Sequence, residues 1–424
     1  VDRIGLISLT DHKAAFAIAL LVGIPLVTLF VIGLKKERRM VFLGVIVAAL
    51  CGAVAVWAFI EKVWHPFPDS IPVQVYAGGA VALAMYLGAL VFKRRRILCF
   101  FLAICATGGA WGIANLHYQE YPTARSLDPQ PISRRMDFAT FQKLVAAPTL
   151  DGRQVGALVQ VPLAGYPAQD GGSGYPARNA FAYIPPAYWT HPAINLPVVV
   201  LLAGNPGEPE QWFTTAEGEA TVDEFQANHD GISPIVISVD GTGSWTGNPI
   251  CVDGPDLKVQ SYLARDVPRL IKERFRVNPD TKTWTIGGFS YGGTCSLQVV
   301  TNAPDVYGSF LDFSGQAEPT LGDHKQTVDT FFGSNEQAYQ AVNPETLLRN
   351  AEAKKSYSGI AGKFIAGEDD HESVAALQHL NDLAGKAGMV TEFQTLPGAH
   401  SFRVWRVALR ETLGWAAQRG GLSA

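Results

Sequence analysis

Hydrophobic positions follow two different patterns along the chain. Residues 14–34, 41–60, 73–92 and 97–114 are apolar runs with no charge in their middles, each close to the roughly twenty residues a helix needs to cross a bilayer. They are apolar on every face, which suits lipid or a deep core and leaves no side for water. A cleaved leader would account for one such run but not for four. The pattern predicts a four-helix transmembrane domain over residues 1–117.

Beyond His117 the text turns polar and Pro-rich (Tyr121-Pro122, Asp128-Pro129-Gln130-Pro131), as a linker does. Residues 118–150 are read as a linker or interfacial segment, with 136–146 as an amphipathic helix at the interface or a plain surface helix. From Val155 onward strand-like and helix-like stretches alternate, so residues 151–424 are expected to form an α/β domain with a mostly parallel sheet. Residues 154–161 and 179–184 suit antiparallel lead-in strands. PVVVLL (197–202) and PIVISV (234–239) are continuous apolar runs of the kind buried on both faces. Residues 261–275 have helical spacing, and 283–286, 309–313, 362–366 and 392–396 complete the expected strands.

Charge refines the topology. A net charge of -4 over 424 residues gives no bulk basicity and argues against nucleic acid as a partner. Lys35, Lys36, Arg38 and Arg39 lie between the first two runs, and Lys93, Arg94, Arg95 and Arg96 between the third and fourth. The middle loop, with Glu61, Lys62, His65 and Asp69, has no basic excess. The positive-inside rule then puts both basic loops in the cytoplasm, and both termini with the α/β domain outside a multi-pass cell-membrane anchor. Of five cysteines, Cys51, Cys99 and Cys105 fall in the apolar runs. Cys251 and Cys295 are open to two readings, a disulfide permitted by an oxidising compartment or two buried thiols. No metal-ligand spacing occurs, and neither a metal nor an organic cofactor is expected.

Candidate chemistry centres on Gly288-Phe289-Ser290-Tyr291-Gly292, a G-x-S-x-G between a strand and a small-residue helix. That order lifts a serine hydroxyl out of a tight turn, and the glycines leave room for the backbone. A base is expected late in the chain, and His400 follows the last strand and precedes the last helix. The acid should follow the preceding strand, where Glu368, Asp369 and Asp370 compete. Asp370 is preferred, then Asp369, then Glu368. Two backbone N–H groups must face the developing oxyanion. Tyr291 supplies one, and Asn205 in Ala203-Gly204-Asn205-Pro206-Gly207 the other, since Pro206 has no N–H. Trp212, Phe213 and Trp245 are candidates for an acyl groove, and EPTLGDH (318–324) for a pocket wall.

Five stretches in order, RNAFAYIPPAY (178–188), 197–207, YLARDVPRLIKERF (262–275), the Ser290 elbow with SFLDFSG (309–315), and GAHSFRVW (398–405), resemble the esterase D group of α/β-hydrolases, which includes the antigen 85 type mycolyltransferases. The resemblance spans about residues 177–421 and implies an ester-directed serine enzyme using Ser290, an acid near Asp370, and His400. Ala203 stands where that group often has His, and the helical domain lies outside the match. The expected function is a membrane-anchored esterase or acyltransferase on a lipid-linked ester: an acyl- or aminoacyl-phospholipid or a mycolate-type glycolipid. The alternative is an inactive hydrolase fold serving as a binding or accessory module of a membrane or cell-envelope assembly.

Overall fold

The computed structural model describes residues 4–33, 35, 38–64 and 70–423. Leu34, Lys36, His65 and Asp69, named above, lie outside the described residues. The chain divides into two units, the first ending at Pro129 and the second beginning at Gln130 for its main part.

The first unit consists of helices α1 (His12–Gly33), α2 (Arg39–Ala58), α3 (Val73–Val91) and α4 (Arg96–Tyr118). With adjoining turns, all four are long and apolar enough to cross a membrane, with mean hydropathies of 2.8, 2.6, 1.5 and 2.0. Small residues let the backbones approach closely, as helices in an apolar solvent require. A methyl group added at Gly109 would lie 2.6 Å from Val22 of α1, and one at Gly112 would lie 2.7 Å from Ile18. The second helix continues past the expected end of its run as a π-type turn, Phe59–Trp64, so Glu61 and Lys62 are helical rather than looped. The Glu61 carboxylate accepts from Ile71 N–H at 3.0 Å and from Tyr76 Oη–H at 2.7 Å. It thereby supplies an acceptor just ahead of α3, where backbone donors lack helical partners.

The second unit is built on strands β1 (Arg134–Asp137), β2 (Thr149–Leu150), β3 (Arg153–Gln154), β4 (Ala157–Val161), β5 (Ala180–Ile184), β6 (Val198–Leu202), β7 (Ile235–Val239), β8 (Thr285–Phe289), β9 (Ser309–Phe313), β10 (Ala361–Gly367) and β11 (Val390–Leu396). Nine form one sheet in the order β1-β4-β5-β7-β6-β8-β9-β10-β11, and β2 with β3 makes a hairpin. Every pairing from β7 to β11 is parallel, whereas β5 pairs antiparallel with both β4 and β7. This is the α/β-hydrolase arrangement. The stretch expected as linker divides: residues up to 129 belong to the first unit, while β1 adds a sheet edge, pairing with β4 from Arg134 to Asp137. Only Phe138–Phe141 of the expected 136–146 helix is helical, because Phe138 and Phe141 turn inward onto Phe275.

Alternation along β6 explains its unbroken apolar text. Val198, Val200 and Leu202 enter one core with the helices Val267–Arg274, Tyr291–Asn302 and His371–Lys386, whereas Val199 and Leu201 enter a second core with Phe402–Arg419 and Gly218–Ala227. Each such side chain removed from water contributes about 2 kcal/mol. A polar substitution on either face would therefore cost the layer it faces. The strand ends beyond this double core are where side chains become available for chemistry.

Candidate active site

Strand β8 ends at Phe289, and the helix Tyr291–Asn302 begins two residues later. Ser290 bridges them at φ 54° and ψ -122°, a backbone conformation that L-residues hold only under constraint. The constraint is visible in its bonds: Ser290 N–H donates to Phe313 O at 2.7 Å, and the Gly293 and Thr294 amides donate to Ser290 O at 2.9 and 3.1 Å. Gly288 and Gly292 have no room for a side chain. A Cβ at Gly288 would lie 2.6 Å from Leu202 O, and one at Gly292 would collide with the same carbonyl. The result is a nearly buried hydroxyl, with Ser290 4 % exposed, at the amino end of a twelve-residue helix. Tyr291 N–H is among the amides such an end leaves without a helical acceptor.

Asp370 follows β10 and caps the helix His371–Lys386 through Ser373 N–H. Its Oδ2 lies 2.8 Å from His400 Nδ1. Burial pushes the acid upward, but the hydrogen bonds from His400 and Ser373 and the charge of the imidazole outweigh it and hold the carboxyl below its ordinary range. An ionised Asp370 can only accept, so the bonded Nδ1 carries the proton and Nε2 keeps its lone pair. Glu368 and Asp369 are exposed, and their amides serve the turn by donating to Leu396 O and Gly398 O. Gly367 permits the close approach of the histidine loop, since a Cβ there would lie 2.6 Å from Ala399 O.

An aromatic stack spans the distance between the serine and histidine elements. Phe289, next to Ser290, lies parallel to Trp405 with centroids 4.4 Å apart, and Trp405 meets the His400 ring edge-on at 5.2 Å. Phe402 closes the cluster at 5.2 Å from Phe289. The packing that fixes the elbow therefore also fixes the imidazole.

The 203–207 turn lies against the elbow. A Cβ on Gly204 would be 3.3 Å from Ser290 Cβ and 2.8 Å from the Phe289 ring, so the turn approaches the serine one residue before Asn205. Asn205 Nδ2 donates to Gly247 O at 2.8 Å, and Gly207 N–H donates to Trp245 O at 2.9 Å. Trp212 and Phe213 are core residues rather than groove walls: they are 0 % and 3 % exposed, and the Trp212 indole donates to Leu202 O. Trp245 remains exposed. Of the 318–324 stretch, Pro319 and Thr320 line a narrow cavity with Tyr291, Thr294, Gln316 and Asn248. Glu318 binds Asn343 Nδ2 and His324 instead.

Cys251 and Cys295 are joined as a disulfide with Cα atoms 5.4 Å apart. The bridge ties the 241–258 loop to the helix that follows Ser290, and Cys251 N–H also donates to Tyr291 Oη. Because it closes a loop of 44 residues, replacing both cysteines by serine is expected to lower the unfolding free energy by about 2–4 kcal/mol. Chemical denaturation of the two proteins under matched oxidising conditions checks this, and coincident curves would contradict it.

Asp312 has no counterpart among the sequence candidates. It is fully buried on β9, and a Cβ on Gly293 would meet its Oδ1, so it lies against the amino end of the Ser290 helix. Burial pushes its carboxyl up to about 8, against a single opposing hydrogen bond from Gly315 N–H. A carboxyl raised in this way places less negative charge beneath the elbow than an ordinary aspartate would. An acidic residue inside an apolar strand (SFLDF) is the only local signal of it.

The Esterase family model matches residues 176–416. The chain belongs to the Esterase family. It is thus a serine hydrolase of the ester-cleaving class, carried on an α/β-hydrolase fold. A Corynebacterium glutamicum protein described as uncharacterized is 53% identical over 392 residues, covering 92% of each chain. Among solved structures, an S-formylglutathione hydrolase from Staphylococcus aureus is 17% identical, covering 63% of this chain and 100% of its own with a TM-score of 0.46. Mycobacterium tuberculosis MPT51 is 13% identical, covering 61% of this chain and 97% of its own, at 0.44. The relative from C. glutamicum matches over a length that includes the helical unit as well as the Esterase region.

Proposed function

We propose that this Esterase-family protein is a membrane-anchored serine esterase or acyltransferase acting on a lipid-linked ester at the outer face of the cell membrane. The observation that carries the reading is the Asp370–His400 pair, 2.8 Å apart, joined through Trp405 and Phe289 to the strained Ser290 turn.

In this mechanism His400 Nε2 takes the Ser290 proton as Oγ attacks the ester carbonyl, while Asp370 holds the tautomer and balances the imidazolium. The Tyr291 and Asn205 amides receive the oxyanion, helped by the positive end of the helix. Collapse of the tetrahedral intermediate expels the alcohol, which takes the proton back from His400. Water or another hydroxyl then releases the acyl group from Ser290 by the same steps in reverse order.

The four apolar helices support the membrane placement, and the basic loops around Arg38 and Lys93 support an external catalytic unit. The Cys251–Cys295 disulfide agrees with that side of the membrane, where thiols oxidise. Tethering keeps the enzyme at a bilayer concentration that a freely soluble ester would not require. Acylated or aminoacylated phospholipids and mycolate-type glycolipids are the substrate classes proposed. Cells carrying Ser290→Ala are expected to accumulate one ester-lipid species, seen by lipid profiling. Intact wild-type cells should label with a membrane-impermeant fluorophosphonate. An unchanged lipid profile removes the lipid substrate, and labelling only after lysis removes the external site.

A further inference from the structure

We infer that Arg178 is a positioning residue for the oxyanion site, acting through the 203–207 turn. The inference rests on the reading of Ser290 as nucleophile and Asn205 N–H as oxyanion donor.

Strand register explains why an arginine so far along the chain reaches that turn. Phe181 of β5 pairs antiparallel with Ser238 of β7, so the residues just before β5 lie beside those just after β7, where Asp240 stands. β7 runs parallel to β6, with Val239 beside Leu202, so the turn after β6 opens at the same sheet edge. Arg178 thus stands at the junction of two loops that the sequence separates.

Its guanidinium is used at every nitrogen. Nε and Nη2 grip the two oxygens of Asp240 at 3.1 and 2.7 Å, the Arg178 amide adds 2.9 Å, and Nη2 also reaches Thr242 Oγ1 at 2.8 Å. Nη1 donates to Gly207 O at 3.1 Å. Asp240 is 1 % exposed, and the Thr242 and Gly243 amides also donate to its Oδ1. The carboxylate is therefore a fixed anchor. With Asn205 Nδ2 on Gly247 O and Gly207 N–H on Trp245 O, the turn is held from both sides. Of these three contacts, the Arg178 bond is the one that couples it to a buried ionic hub, and a bidentate fork gives that hub one orientation.

A turn carrying Gly204 and Gly207 would otherwise spread over several conformations. An oxyanion donor acts only when it already points at the charge, so displacement by even an ångström is felt in the transition state more than in substrate binding. Arg178 is thereby a determinant of kcat rather than of KM.

The test uses the full chain in detergent micelles with 4-nitrophenyl butanoate and its thiono analogue, in which sulfur replaces the carbonyl oxygen. Arg178→Met is expected to lower kcat by roughly 10- to 100-fold, with KM within about twofold. The oxo-to-thiono rate ratio should fall with it, since sulfur profits less from the amides. Arg178→Lys keeps a cation beside Asp240 and guards against misfolding of the Met variant. It should recover part of kcat and part of the ratio. An unchanged ratio in a folded Arg178→Met protein, or in Arg178→Lys where the Met variant does not fold, overturns the inference. Hydrolysis that persists in Ser290→Ala overturns the reading beneath it instead, so the two failures separate.

Discussion

Replacing Ser290 by alanine is expected to lower ester hydrolysis by about 10⁵- to 10⁶-fold and to abolish labelling by a fluorophosphonate. The size follows from what remains: the amides of Tyr291 and Asn205 could still polarise a carbonyl, but no covalent step would be open. Folding should be unaffected, because alanine keeps the Cβ that the serine already carries at φ 54°, and the backbone bonds to Phe313 O and from Gly293 and Thr294 persist. Steady-state hydrolysis of 4-nitrophenyl butanoate and a denaturation midpoint are the two measurements. Retention of more than a hundredth of the wild-type rate by a folded variant would remove Ser290 from the chemistry, whereas a wild-type chain that neither hydrolyses the ester nor takes the label would leave the inactive-module alternative standing.

Asp370→Asn is expected to reduce kcat by about 10⁴-fold while KM changes little. An amide can offer its N–H as readily as its oxygen to the ring, which favours a tautomer with the proton on Nε2 and leaves the imidazolium unbalanced. His400 would stay in place, packed on Trp405, so the variant separates electrostatics from position.

The same substitution carries a pH signature in stability. The folded state holds the Asp370 carboxyl below its ordinary range, despite burial, through His400 and Ser373. A depressed folded value means stability present above the unfolded value, near 3.9, and lost as pH falls through the folded one. Wild type should therefore exceed Asp370→Asn in denaturation midpoint at pH 6 to 7, and the gap should narrow below about pH 4. A gap that widens on acidification would mean that Asp370 is not held as an anion.

The acid also shows where reading a sequence stops. Glu368, Asp369 and Asp370 are adjacent, and the sequence ranks Asp370 first without excluding the other two. The fold does so through the turn after β10, in which two of the amides donate to Leu396 O and Gly398 O while Asp370 alone of the three is buried and reaches His400 Nδ1. Trp212 and Phe213 illustrate the same limit. As text they are loop aromatics near a strand end, yet they turn inward onto the second core, because Trp212 finds Phe289 and Phe313 there.

What the sequence determined by itself was whatever short-range patterning encodes. Apolar runs of bilayer length marked the helical unit, unbroken Val, Leu and Ile runs marked strands buried on both faces, and glycines around Ser290 marked a turn that tolerates no side chains. What only the tertiary structure decided were relations between distant segments: β1 joining the sheet from a stretch that reads as linker, Asp312 buried beneath the elbow, and Arg178 reaching Asp240 and Gly207. Helical and strand periodicities are imposed by the backbone over a few residues, so composition records them directly. A hydrogen bond between residues 62 apart, such as that from Arg178 to Asp240, depends on sheet order and register, which arise only when the whole layer packs.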